Sequence, residues 1–364
     1  MSRRGYARAD RPGRPATASA GSAPNTVYPA RRSARACEGA AVGADIVIIG
    51  AGFAGAATAF HLARLGRTDV LIIEREASAG VHSSGRNAAI IREHADDAAE
   101  QALLHAGANV LRRGELAAFD RRGLFIVGPG QDEAARYCPR ASGRGTWHPD
   151  DGTIDVSGLL GRYLEGQRVL YGVTVLDWTH GAHGLTVRTT EGDVDCRLLV
   201  NAAGPWAGEV GKLPLTPYNR HLMVSTPMPW VDGRWPVIWD GYRHFYFRPE
   251  SGGLLFSCCD ETPGRPGVYE EDPKILDTLQ QRIETLQPAL GAIAIRTTWV
   301  GQRTFAPDRR FVIGFDPRDE RVFHVAGLGG HGVTASYAIG LRAAEIITGK
   351  LDGRDDPFGA GRLF

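Results

Sequence analysis

The feature that most constrains this chain is ADIVIIGAGFAGAATAFHLARLG, followed at once by RTDVLIIE. An apolar run over 45–49 reads as a buried strand. Gly50-Ala51-Gly52-Phe53-Ala54-Gly55 follows, then a helix ending near Gly66 and a second strand closing on Glu74. Each glycine has a physical reason: Gly50 makes the tight turn, Gly52 lets the backbone approach a pyrophosphate, and Gly55 allows helix and strand to pack closely. The first helix amides, on Phe53 and Ala54, then point at negative charge. Glu74 stands where a carboxylate bonds a ribose 2′-hydroxyl and disfavours a 2′-phosphate, an exclusion that Arg75 weakens slightly. Strand, glycines, helix, strand and terminal acid together predict a bound dinucleotide.

Two further segments return to the same parallel sheet. RLLVNAAGPWAG, 197–208, is a strand ending in small residues, with Ala202, Gly204 and Trp206 expected beneath a cofactor. RVFHVAGLGGHGVTASYAIGLRAAEIITG, 321–349, is a strand, a glycine loop and a helix closed by Gly349. The bare amides of Gly329, Gly330, Gly332, Val333 and Thr334 offer a positive dipole end to something anionic. Residues 216–298 have a different pattern: HLMVSTP, PVIWD, HFYFRPE and GLLFSCC read as strands, with a hairpin turn over 249–253 and Cys258-Cys259 inside the last strand. The fold class is therefore α/β plus antiparallel β: a non-contiguous Rossmann-type nucleotide domain over 44–95, 151–215 and 299–350, and a mixed or antiparallel-sheet substrate domain over 96–150 and 216–298. Residues 351–364 read as a tail.

The net charge of +1 conceals an asymmetry. Residues 1–43 hold eight arginines against Asp10 and Glu38, so the remaining residues hold 34 basic and 39 acidic side chains and carry −5. That basic stretch is rich in Ala, Ser, Pro and Gly and reads as a disordered extension, without the apolar segment of a secretion signal. Nothing in the body supports nucleic-acid binding, and no apolar run reaches the length of a membrane span. The five cysteines show no metal-ligand spacing, so no metal is expected; reduced thiols fit a cytoplasmic protein.

The motifs GAGFAG, LIIEREASAGVHSSGRNAA, GTIDVSGLL, VNAAGPWAG, YFRPESGGLL, WVGQRTFAPDRRFVIG and AGLGGHGV span about 45–349 in order. In this series the chain resembles the FAD-dependent D-amino-acid oxidase superfamily, in the branch of glycine and sarcosine oxidases and D-amino-acid dehydrogenases. The D-arginine dehydrogenase type is the nearest, mainly for the histidine ahead of SSGR. The resemblance implies FAD, held non-covalently because no cysteine lies in the C-terminal motifs, with Val175 against its adenine end. It implies that Ser83, Ser84, Arg86, Asn87 and Ala88 cradle the pyrophosphate and flavin, with His82 facing the substrate. It also implies oxidation of the CH–NH group of an amino acid, a D-amino acid or glycine-type amine, to an imino acid by hydride transfer to flavin N5, with oxygen or another acceptor taking the electrons.

A flavin needs the substrate aimed more than it needs acid–base help, and a planar arginine aims a carboxylate best. Arg303 matches the family's carboxylate arginine; its plain alternative is a surface residue paired with Asp308. Tyr246 matches a family tyrosine on the same carboxylate, and His331 lies within reach of the substrate. Either Arg220 or His221 occupies a further polar position, while Arg92 and His94 read as solvated. Residues 95–152 are shorter than in the resembling enzymes, which leaves side-chain preference unassigned. Oxidation of a secondary amine or a 2-hydroxy acid is the alternative within enzymes. A flavoprotein without turnover that serves as a binding or assembly subunit is the alternative outside them, and Arg303 and Tyr246 argue against it.

Overall fold

A computed structural model describes residues 42–181 and 184–364, so the basic extension expected over 1–43 lies, except for its last two residues, outside the described residues. The first strand, β1 (Val42–Ile49), takes in those two and sits between β2 (Val70–Glu74) and the strand Gly192–Asn201, parallel to both. The described helices are α1 (Phe53–Arg64), α2 (Ala98–Leu111), α3 (Val156–Leu164), α4 (Ala207–Gly211), α5 (Ile275–Leu286) and α6 (Gly332–Ile347). Every residue of β2 is buried, as a strand covered on both faces requires. Alternate residues of β1 serve opposite faces. Ile46 and Ile48 meet Leu62, Leu104 and Ile339 on the helical side; Val47 and Ile49 meet Leu71, Val187 and Leu199 under the hairpin of strands Val175–Gly181 and Gly184–Thr189. At Gly340 the axes of α1 and α6 approach so closely that a Cβ would lie 2.6 Å from the Ala57 carbonyl.

The second sheet is built on Thr216–Ser225, Gly253–Ser257, Phe245–Glu250 and Val237–Asp240, extended by Leu124–Glu133 and Arg144–His148. Its odd and even positions also part company. Met223, Phe245, Phe247 and Phe256 bury against Ile275, Leu279 and Ile283, a stripe of α5 at helical spacing. Leu222, Val224, Tyr246 and Leu255 face the other way, against Ala88 of the first unit. The 249–253 hairpin turns at Ser251 (φ 51°) and Gly252 (φ 77°), the two positive φ values of a two-residue loop matched to strand twist. Just before it, the buried Arg248 donates from Nε to the Ala88 carbonyl (2.9 Å) and from Nη1 to the Pro249 carbonyl (2.9 Å), and pairs with Glu250.

Several sequence expectations change here. The strand Ile295–Phe305 pairs along its length with Thr216–Ser225, so the boundary expected at 299 falls inside a strand of the second sheet. Helix α2, expected in the substrate domain, buries Leu103 and Leu104 in the first core; Gly107 lets it close onto the Thr334 carbonyl of α6. Residues 351–364 are no loose tail: Phe358 is 1 % exposed, stacks on Phe311 at 5.7 Å, and its carbonyl accepts from Ile313 N (2.8 Å). The strand before Cys258-Cys259 ends at Ser257, whose Oγ takes the Cys259 amide (3.2 Å), and Cys259 turns to φ 50°. Cys138, Cys196, Cys258 and Cys259 are free thiols. No helix among the described residues is long and apolar enough to cross a membrane.

Candidate active site

The turn after β1 has the geometry its glycines suggest. Gly50 adopts φ +100°, and a Cβ there would lie 2.6 Å from the Ala202 carbonyl oxygen; a Cβ on Gly55 would collide with the Gly50 carbonyl. The N-terminus of α1 has no side-chain cap from Gly52, but Ser84 Oγ accepts from the Phe53 amide at 3.0 Å. The buried Glu74 carboxylate takes the amides of Ala51 (2.8 Å) and Glu76 (2.9 Å); burial pushes its pKa up against the pull of those amides. Around the glycine turn opens a cavity of about 1260 Å³, running between the two sheets. Of the residues expected at a cofactor, Gly52, Phe53, Ala54, Ser83, Ser84, Arg86, Asn87, Ala88, Ala202 and Gly204 line it, as do Gly329, Gly330, Gly332, Val333 and Thr334.

Others lie off its wall. Gly50 and Gly55 act through the turn itself, and Val175 packs with the Leu71 and Val173 core. Arg75 stacks on Trp206, 4.1 Å from guanidinium carbon to ring centre. His82 departs from its expected place: its Nδ1 meets the Tyr269 hydroxyl (2.5 Å) and its Nε2 meets Glu76 (2.8 Å), with Trp206 against the ring. Both nitrogens are thus used outside the cavity, and the histidine behind the D-arginine dehydrogenase likeness does not line it. Asn87 also spends its amide locally, donating to Ser84 O (2.6 Å) and accepting from Ala89 N (2.7 Å), which holds the loop in shape.

The substrate end collects cations. Arg303, from strand Ile295–Phe305, lies against Gly330 and within electrostatic reach of Tyr246; burial, then Arg220, draws its pKa down to about 10. Its expected alternative partner, Asp308, is held by Arg362 instead (2.7 Å). Tyr246 is buried, stacked on Trp239 (4.5 Å, 12°), and burial raises its hydroxyl pKa. Between Arg220 and His221 the fold chooses Arg220. It lines the cavity, pairs with Glu261 (2.8 Å) and has a buried Nε without a partner, whereas His221 is tied between Asp260 and the Asp272 amide.

Arg92 overturns its solvated reading. It lines the cavity, lies 4.6 Å over Trp239, and donates from Nη2 to His331 Nε2 (2.8 Å), while His94, also on the cavity wall, stays exposed. Because a guanidinium only donates, that nitrogen must be unprotonated, and His331 is a neutral imidazole with its proton on Nδ1. Burial, then Arg92 and Arg303, hold its pKa well below the usual value.

The model of the family described as FAD dependent oxidoreductase, DAO, matches residues 45–138 and 115–346. The chain belongs to this family. Among curated relatives, FAD-dependent oxidoreductase domain-containing protein 1 of Xenopus laevis is 28 % identical over 183 residues, 42 % of this chain and 35 % of that protein. The chain spans about a third of the length of the first curated relatives it matches. Two solved structures share the fold: L-proline dehydrogenase from P. horikoshii (TM-score 0.79, 21 % identity, 89 % of this chain and 98 % of that one) and glycine oxidase from Geobacillus kaustophilus (0.76, 21 %, 89 % and 100 %).

The cavity of this DAO-family chain fits FAD. Two helix N-termini, of α1 and α6, open onto it; neither Gly52 nor His331 caps its helix with a side chain, so apart from the Phe53 amide held by Ser84 the first-turn amides remain for an anion. The wall at both ends is backbone. A side chain on Gly52 would press on Ser84 Oγ (2.9 Å), and on Gly329, at φ +52°, on the Phe305 ring (2.7 Å). Residues 83–88 and 329–334 would hold the flavin, and the amides at the start of α6 would face the negative charge that a reduced ring carries.

Proposed function

We propose that the chain oxidises an amino acid at the carbon bearing nitrogen, giving an imine that water converts to a keto acid and ammonium. FAD, when bound, supplies the two-electron acceptor for the hydride that leaves that carbon. The observation that carries this reading is Arg303, a partly buried guanidinium on the cavity wall with no ion pair among the described residues. At a pKa near 10 it keeps its charge at neutral pH, and a partly desolvated charge without a partner favours a ligand anion as its complement. A carboxylate on Arg303, flanked by the Tyr246 hydroxyl, would be gripped in the plane of the fork.

The same charges prepare the amine. Arg92, Arg220 and Arg303 surround the bound ammonium with like charge, which lowers its pKa and favours the neutral amine from which hydride can leave. No side chain need act as base: His331 Nε2 is occupied by Arg92. Oxygen or another acceptor would take the electrons onward.

Anaerobic mixing of the yellow holoprotein with a panel of amino acids tests the reading, with loss of flavin absorbance as the signal. Arg303→Ala should keep FAD yet slow bleaching by about 100-fold or more, the scale expected when positioning is lost. Unchanged bleaching in that variant would remove the carboxylate role.

A further inference from the structure

Carboxylates of the cavity wall pair with some of its arginines and leave others without an ion pair among the described residues. Arg220 and Arg303 share a sheet face as diagonal neighbours, since Arg303 stands opposite Tyr218 and Arg220 opposite Gly301. Of this pair Arg220 is already matched: Glu261 accepts from it and from Arg309. Arg92 comes from a different element, just after the short strand Ile90–Ile91, and its partners are a neutral imidazole and an indole face. Asp151 and Asp96 act on it only at longer range, and Asp151 is committed to Arg112. Neither Arg92 nor Arg303 has an ion pair among the described residues, and an arginine does not neutralise itself by losing its proton.

Arg86, also without an ion pair among the described residues, spends its guanidinium on the Val81 and Val300 carbonyls, which leaves two unmatched guanidiniums near the stacked Trp239–Tyr246 pair: Arg92 over the indole and Arg303 within electrostatic reach of the phenol. Arg303 with Tyr246 answers an α-carboxylate. Nothing in that contact answers Arg92.

We infer that the substrate is an amino acid carrying a second carboxylate, placed so that one carboxylate meets Arg303 and Tyr246 and the other meets Arg92. His331 then has a positioning role, since its Nε2 fixes one arm of the Arg92 fork and leaves the other for the ligand. This rests on the amino-acid reading of the cavity and names its substrate class.

Non-oxidisable acids test it without turnover. The FAD-loaded protein is titrated with succinate and glutarate, and with propionate and butyrate, following the change in the flavin spectrum. The diacids should bind about tenfold or more tightly than the monoacids, the fold-change that one charge-assisted contact confers. Arg92→Met should bring that ratio to about 1, while Arg92→Lys, which keeps the charge, should preserve a preference. A ratio near 1 in the wild type overturns the inference, as does a ratio that Arg92→Met leaves intact. Failure of the underlying reading looks different: no acid of either kind would perturb the flavin and no amino acid would bleach it.

Discussion

Gly330 offers a test of how Arg303 is held. Its φ is +90°, and a Cβ built there would lie 2.6 Å from Arg303 Nε and 2.7 Å from Cδ. Alanine in that conformation costs about 1–2 kcal/mol from the backbone alone. For ordinary contact the arginine stem must withdraw by about 1 Å. Tolerating the overlap in place would cost a further 1–3 kcal/mol or so, the usual range for overpacking. A guanidinium–carboxylate contact is worth about 1.5–3 kcal/mol, so Arg303 should yield and the ligand contact should be what is lost. In Gly330→Ala, propionate titrated against the flavin spectrum should bind about 10- to 100-fold more weakly. Adding Arg303→Ala should then cost little more, because both changes remove one interaction. Wild-type propionate affinity in Gly330→Ala would refute the idea that the bare glycine reserves space for the arginine.

Two other changes probe the frame around the site. Burial pushes the Glu100 carboxyl up to about 7, with Phe311 N bonded to one of its oxygens (3.2 Å). The unfolded chain therefore releases this proton at lower pH than the folded one, so its contribution to stability is present below about pH 4.5 and lost as pH rises toward 7. Glu100→Gln, which keeps the acceptor, should raise the melting temperature at pH 8 and leave it unchanged near pH 4; equal curves at both would remove the argument. Phe358→Ala should destabilise the protein by about 3–5 kcal/mol in urea, as for any fully buried aromatic, whereas a loose tail would show almost nothing.

The nucleotide turn was legible because its constraints are local: a few glycines within six residues fix a strand, a turn and a helix start. Motif resemblance singled out Arg303 and Tyr246, and both line the cavity. Arg92 was not legible, since IIREH alone reads as polar loop, and its contacts are with His331 and Trp239, far along the chain. His82 erred for the same reason: Tyr269, 187 residues on, draws its ring away from the cavity. The choice of Arg220 over His221 needed strand register, which hydrophobic alternation leaves one residue uncertain and which assigns neighbours to opposite faces. In Phe358 the signal was a single aromatic in a short polar segment, too little to mark a core residue.

Arg248 carries a consequence for modularity. Its Nε holds the Ala88 carbonyl in a loop that lines the cavity, while its other bonds close its own hairpin strand. The two sheets consequently do not exchange as independent parts. A chimera that imports the second sheet from a relative must also import a loop matched to it, or Ala88 and the cavity-lining segment it belongs to lose their strut. Recombination breakpoints in this chain therefore belong outside the pair formed by residues 83–89 and 245–253, which would have to travel together.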